Sequence, residues 1–156
     1  MRDEAGSVKL RQPRRGPTRG AARAVQADVP KLSTANPTSQ RPERWIVETA
    51  HADIATLHIP ASLNARRVFE IDVRLVVRAA IQAKTPPWLA LTVEIDGAQQ
   101  WSRRIDAACP GASDSLDYHC RRELMPGQAL RVRALSKLGG AARVALVIEA
   151  EQALPS

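Results

Sequence analysis

The stretch RVFEIDVRLVVR, Arg67 to Arg78, decides the fold. Phe69, Ile71, Val73, Leu75 and Val77 alternate with Glu70, Asp72, Arg74, Val76 and Arg78. Apolar and polar side chains exchanging at every step have the period of a strand with one wet face. A helix would place Phe69 and Ile71 on opposite sides, and the β-branched content favours the strand.

Working outward, the same pattern recurs. Trp45–Thr49 and Ala55–Ile59 read as short strands, with a helix across Glu48–Leu57 as the alternative. Pro86-Pro87 is a firm break, since two prolines do not fit a central strand. In Trp88–Asp96, Leu89, Leu91, Val93 and Ile95 point one way and Ala90, Thr92 and Glu94 the other. Asp96-Gly97 is a strong hairpin signal. The returning strand, Gln100 to Ile105, puts Trp101, Arg103 and Ile105 on one face. After the loop Pro110–Asp114 come Leu116–Leu124, a turn at Pro126-Gly127, and Ala129–Leu138. A second hairpin at Gly139-Gly140 leads into Arg143–Glu151, where Val144, Leu146, Ile148 and Ala150 oppose Arg143, Ala145, Val147 and Glu149.

This makes about eight strands with one buried face each. Such strands form antiparallel sheets, and this many must stack or close into a barrel. The expected fold is all-β, an antiparallel two-sheet sandwich of jelly-roll type over residues 45–156, with a barrel as the alternative. A chain of 156 residues fits one such domain. Apolar residues make up 44% and aromatics only 3%, so Val, Leu, Ile and Ala fill the core.

Residues 1–44 read as a disordered Arg/Pro-rich arm. They hold five Pro, no aromatic residue and five Val, Ile or Leu, too few to offset the entropy of ordering. The net charge of +7 belongs mostly there: residues 1–44 carry ten Lys/Arg and four Asp/Glu, residues 45–156 thirteen and twelve. Arg11, Arg14, Arg15, Arg19 and Arg23 would neutralise about five phosphates or meet an acidic surface. The competing interpretation is a solvated tail, since no aromatic side chain is interleaved to stack on bases.

No run of about 18 apolar residues suggests a transmembrane helix, and Met1 to Ala24 lacks the apolar stretch of a secretory signal. The expected compartment is the cytoplasm by default, with export lacking a cleaved signal left open. Cys109 and Cys120 fall on apolar faces and are candidates for a disulfide. Reduced thiols are the stronger expectation in that compartment.

Motifs for chemistry are sparse. Asp114, Asp117, His119 and Cys120 lack paired zinc-ligand spacing, and no loop has the calcium-binding pattern. Neither a metal nor a cofactor is expected. Ser115, His119 and Asp117 make a hydrolytic set only on paper, and the chain reads as a non-enzyme. Trp88, Trp101 and Tyr118 stand out as a ligand-binding set. Trp88 has outward parity beside Pro86-Pro87, and with Trp101 near it across the Asp96-Gly97 hairpin an aromatic platform would form. The alternative is that the rings cap the core.

The architecture resembles non-catalytic jelly-roll binding modules, carbohydrate-binding ones included, although a fold-level likeness is a weak warrant for function. The leading expectation is a module that binds a glycan or protein ligand. The second is a structural assembly protein, a homo-oligomer of coat type, whose arm binds nucleic acid. A small enzyme is third.

Overall fold

The computed structural model describes residues 41–107 and 109–154. The arginines Arg11, Arg14, Arg15, Arg19 and Arg23 lie outside the described residues. Eight strands follow one another: β1 (Arg44–Thr49), β2 (Ile54–Ile59), β3 (Arg67–Ala79), β4 (Trp88–Ile95), β5 (Ala98–Asp106), β6 (Ser113–Leu124), β7 (Leu130–Gly139) and β8 (Ala141–Gln152). No helix occurs among the described residues, so the helical alternative across Glu48–Leu57 gives way to β1 and β2. Among the described residues no helix is long and apolar enough to cross a membrane.

The strands form two antiparallel four-stranded sheets. Sheet A has the order β1-β8-β3-β6 and sheet B the order β2-β7-β4-β5. Only β4 and β5 are consecutive strands paired with each other; every other connection passes from one sheet to the other. The Gly139-Gly140 hairpin is therefore corrected. Gly140, at φ 60°, turns the chain out of sheet B and into sheet A. A turn signal marks a reversal but does not say which sheet receives the next strand.

The strand from Arg67 is central in sheet A, between β8 and β6. Its odd positions from Phe69 to Val77 are at most 1% exposed, as alternation requires. They pack against Leu89, Leu91 and Val93 of β4, Val132 and Ala134 of β7, and Leu146 and Ile148 of β8. Burial of this apolar area, at about 25 cal/mol per Å², is the main stabilising term.

Two β-bulges re-aim side chains. In β8 the ladder shifts between Val76↔Ala145 and Val77↔Arg143. The extra residue, Val144, is exposed. Arg143, expected outside, instead lies opposite inward-facing Val77 with its side chain only 7% exposed. It donates to the Ser136 hydroxyl and pairs with Asp53, tying the β1–β2 loop to β7. The bulge in β5 falls at Gln100: Gln99 pairs with Glu94 and Trp101 with Val93.

Near the start of β3, Arg67 is buried at 6% exposure. It donates to Glu43 at 2.9 Å and to the Pro60 carbonyl at 2.7 Å. The edge strands β5 and β6 each aim an arginine toward the gap between the sheets. Arg103 lies opposite Leu91, and Arg122 lies opposite Phe69. Arg122 donates to Gln100 across the gap.

Candidate functional site

The trio of Trp88, Trp101 and Tyr118 is divided by the structure. A regular hairpin from Asp96-Gly97 would put Trp101 opposite Thr92, on the outer face with Trp88. Asp96 (φ 50°) and Gly97 (φ 85°) do form the tight turn expected. The Gln100 bulge then moves Trp101 to Val93 and turns it inward. There it packs against the core and against Tyr118, with ring centroids 5.6 Å apart. The shared Trp88–Trp101 platform is thus absent, because one extra residue reverses the side-chain parity. Burial and a bond to Cys120 hold the Tyr118 phenol above its ordinary pKa.

Trp88 is on the outer face of sheet B, half-buried, as its parity requires. Its ring lies against β7 where Gly139 is the cross-strand partner. A β-carbon on Gly139 would come within 2.0 Å of the indole Nε1. The Arg104 guanidinium from β5 lies over the indole, 3.9 Å from its centroid, a favourable cation–π distance.

Beside Trp88 is a depression of about 560 Å³, lined by His51, Asp53, Trp88, Lys137 and Arg143, among others. That volume suits a small ligand, and the lining is polar and mixed in charge. The buried side chains of Arg143 and Ser136 form its base, with the exposed Asp53 carboxylate paired to Arg143 at its rim. Sequence reading missed this hollow because the β8 bulge brings Arg143 to it. Lys137 was legible as outward-facing. Gly139 was legible only as a turn residue.

The outer faces of the two sheets differ in charge. On sheet A, carboxylates oppose each other across the central strands: Glu70 faces Glu151 and Asp72 faces Glu149. Such like-charge pairs destabilise a ladder and are relieved from the flanks. Arg44 pairs with Glu149, Arg121 with Glu70, and His119 with Asp72 and Glu70. His119 titrates above its ordinary value near 6.5, chiefly through its hydrogen bond with Asp72. On sheet B, Arg104, Arg131 and Lys137 project outward without an ion pair among the described residues, while Arg133 pairs with Glu94.

The remaining candidates separate. Ser115 donates to Asp117, whereas His119 is held by Asp72, so the paper triad has no serine–histidine contact. Asp117 and His119 face outward, and Cys120 packs inward against the core. Cys109 is exposed in the β5–β6 loop rather than on the apolar face of a strand, which corrects its expected placement, and both thiols are free.

The sequence matches no protein-family model and no curated protein. Among solved structures it is similar to dimeric latent PorU from Porphyromonas gingivalis, with a TM-score of 0.44 and 11% identity over 72% of this chain and 13% of that chain. Similarity at that level carries no argument about function.

Proposed function

We propose that the domain is a non-catalytic binding module that takes a glycan on the outer face of sheet B, in the depression beside Trp88. The observation that carries this reading is the setting of Trp88: a partly exposed indole held between Gly139 and the Arg104 guanidinium, with a polar hollow of about 560 Å³ next to it. Sugars bind through apolar C–H groups and a fringe of hydroxyls, and the exposed edge of the indole beside Lys137, His51 and Asp53 offers both kinds of partner. The strand orders β1-β8-β3-β6 and β2-β7-β4-β5, with consecutive strands mostly alternating between sheets, support a jelly-roll reading of the sandwich.

A glycan-array screen followed by calorimetry tests the reading. Trp88→Ala is expected to weaken the best binder about tenfold, or about 1.4 kcal/mol. Trp101→Ala is expected to lower the melting temperature while leaving the affinity of the folded protein unchanged. Equal affinity in wild type and Trp88→Ala would overturn the proposal.

A second reading is favoured by the opposite charge of the two outer faces. In this reading the protein is a structural assembly unit whose copies stack the carboxylate-rich face of sheet A on the arginine- and lysine-bearing face of sheet B, with the basic arm on nucleic acid. A head-to-tail contact of this kind generates rings or filaments and weakens with salt. Sedimentation at low and high ionic strength checks it: a monomer under both conditions removes this reading.

A further inference from the structure

Around Trp88 the outer face of sheet B has a definite layout. Ala90 follows Trp88 on the same face of β4. Its two cross-strand partners are Arg104 on β5 and Lys137 on β7. Neighbouring strands lie about 4.8 Å apart, so the two cations stand roughly 10 Å apart at the backbone. Only a methyl group lies between them. The next position along β4 brings two hydroxyls together, with Thr92 Oγ1 and Ser102 Oγ at 2.8 Å.

Neither cation has an ion-pair partner among the described residues. Arg104 is oriented by the Trp88 ring, 3.9 Å from its centroid. A guanidinium held over an indole still has N–H donors to offer an oxyanion. The nearby opposing charges are Asp106, opposite Trp88 and two residues from Arg104 on the same face of β5, and Asp53, which lines the depression with Lys137 and is paired with Arg143. A neutral sugar would leave Arg104 and Lys137 without counter-charges. A base-stacking strand of nucleic acid would need a series of exposed rings, whereas Trp88 is the one tryptophan on this face and Trp101 points inward.

We propose that the saccharide bound beside Trp88 is an acidic one, its carboxylate or sulfate group seated above Ala90 between Arg104 and Lys137. This inference rests on the glycan-binding reading of the Trp88 face and specifies the ligand class. The basic character there is a local pair of cations beside one aromatic ring, so recognition depends on the position of the anionic group as well as on charge.

The test is calorimetry on the full chain at fixed salt with four probes: a uronate tetrasaccharide, a sulfated tetrasaccharide, a neutral tetrasaccharide and a single-stranded oligonucleotide. The expected result is that one acidic saccharide binds more tightly than the neutral one. Arg104→Gln and Lys137→Gln should each weaken that saccharide about tenfold, and the neutral probe by much less. The two acidic probes distinguish carboxylate from sulfate. Binding contributed by the N-terminal arginines is the part that persists unchanged in Trp88→Ala, Arg104→Gln and Lys137→Gln. The inference is overturned if both Gln variants keep wild-type affinity for the acidic saccharides, if the neutral probe binds as tightly, or if only the oligonucleotide responds to the substitutions. If Trp88→Ala leaves every saccharide unaffected, the glycan reading itself fails. Saccharide binding that is lost in Trp88→Ala, but with the acidic probes no more sensitive than the neutral one to Arg104→Gln and Lys137→Gln, keeps the reading and removes the inference.

Discussion

Trp88 occupies the space that a side chain at Gly139 would fill: a β-carbon there would lie 2.0 Å from the indole Nε1 and 2.6 Å from Cε2. The two residues are cross-strand partners, and an aromatic ring lying over a glycine in this way covers backbone that the glycine leaves bare. The arrangement fixes the indole flat on the sheet.

Gly139→Ala is therefore expected to lift Trp88 from its bed. The φ of Gly139 is not in the left-handed region, so the effect comes from the clash rather than from backbone strain. Tryptophan fluorescence should show Trp88 more accessible to iodide, and ligand affinity should fall as far as in Trp88→Ala. An unchanged quenching profile would show that the ring has another stable seat.

Val73→Asp is expected to unfold the domain, while Arg74→Asp should be mild. Val73 is 1% exposed in the core, where an unpaired carboxylate costs several kcal/mol. Arg74 is on the wet face in an ion pair with Asp117, and an exposed, solvent-screened pair of this kind adds little to stability. Thermal melts of the two variants check the register of β3, and coincident melts would refute it.

Arg67 is expected to make Glu43 indispensable to the start of the sandwich. Arg67 is buried, and removing Glu43 leaves its guanidinium with the Pro60 carbonyl as its remaining described hydrogen-bond partner. The Glu43 backbone N–H also donates to Gln152, and its side chain accepts from Trp45 Nε1. A chain shortened to begin at Pro42 should melt above one beginning at Trp45 by the equivalent of about 2 kcal/mol, since one partner of a largely buried pair is lost. Urea titration of the two gives the difference.

His119 is expected to add a small pH dependence. Its pKa in the folded protein is raised by Asp72 and Glu70. The contribution is thus fully present below about pH 6.5, the ordinary imidazole value, and is lost as pH rises through the folded-state value. The side chain is 58% exposed, so solvent screening holds the effect below about 1 kcal/mol. Asp72→Asn should move the His119 titration downward in a proton NMR experiment. An unmoved midpoint would mean that Asp72 does not hold the ring in solution.

Much of this architecture was legible because β3 and β4 alternate without interruption: Phe69 to Val77 and Leu89 to Ile95 face inward as their periodicity requires. The outward parity of Trp88 was legible for the same reason. The two bulges were not. Gln100 and Val144 are ordinary residues, and nothing in their chemistry announces an extra position in a ladder. Yet one turns Trp101 into the core and the other brings Arg143 beneath the Trp88 depression. The site is a product of long-range register: Arg104, Lys137 and Gly139 reach Trp88 and Ala90 from strands on either side of β4, and a single-strand period does not encode those distances.

The inward-aimed arginines of β5 and β6 also bear on how the protein behaves in crowded surroundings. Long edge strands with free backbone groups invite a neighbouring chain to continue the sheet, which is the route to cross-β aggregation. A strand added beside β6 would press on Arg122, and one beside β5 on Arg103, each a charge that loses hydration without gaining a partner. This penalty disfavours fusion at the β5 and β6 edges, two of the four that the sheets present, while leaving the broad faces of the sheets free. The longest open edge of the sandwich, the 12 residues of β6, thus carries its own barrier to edge-to-edge pairing.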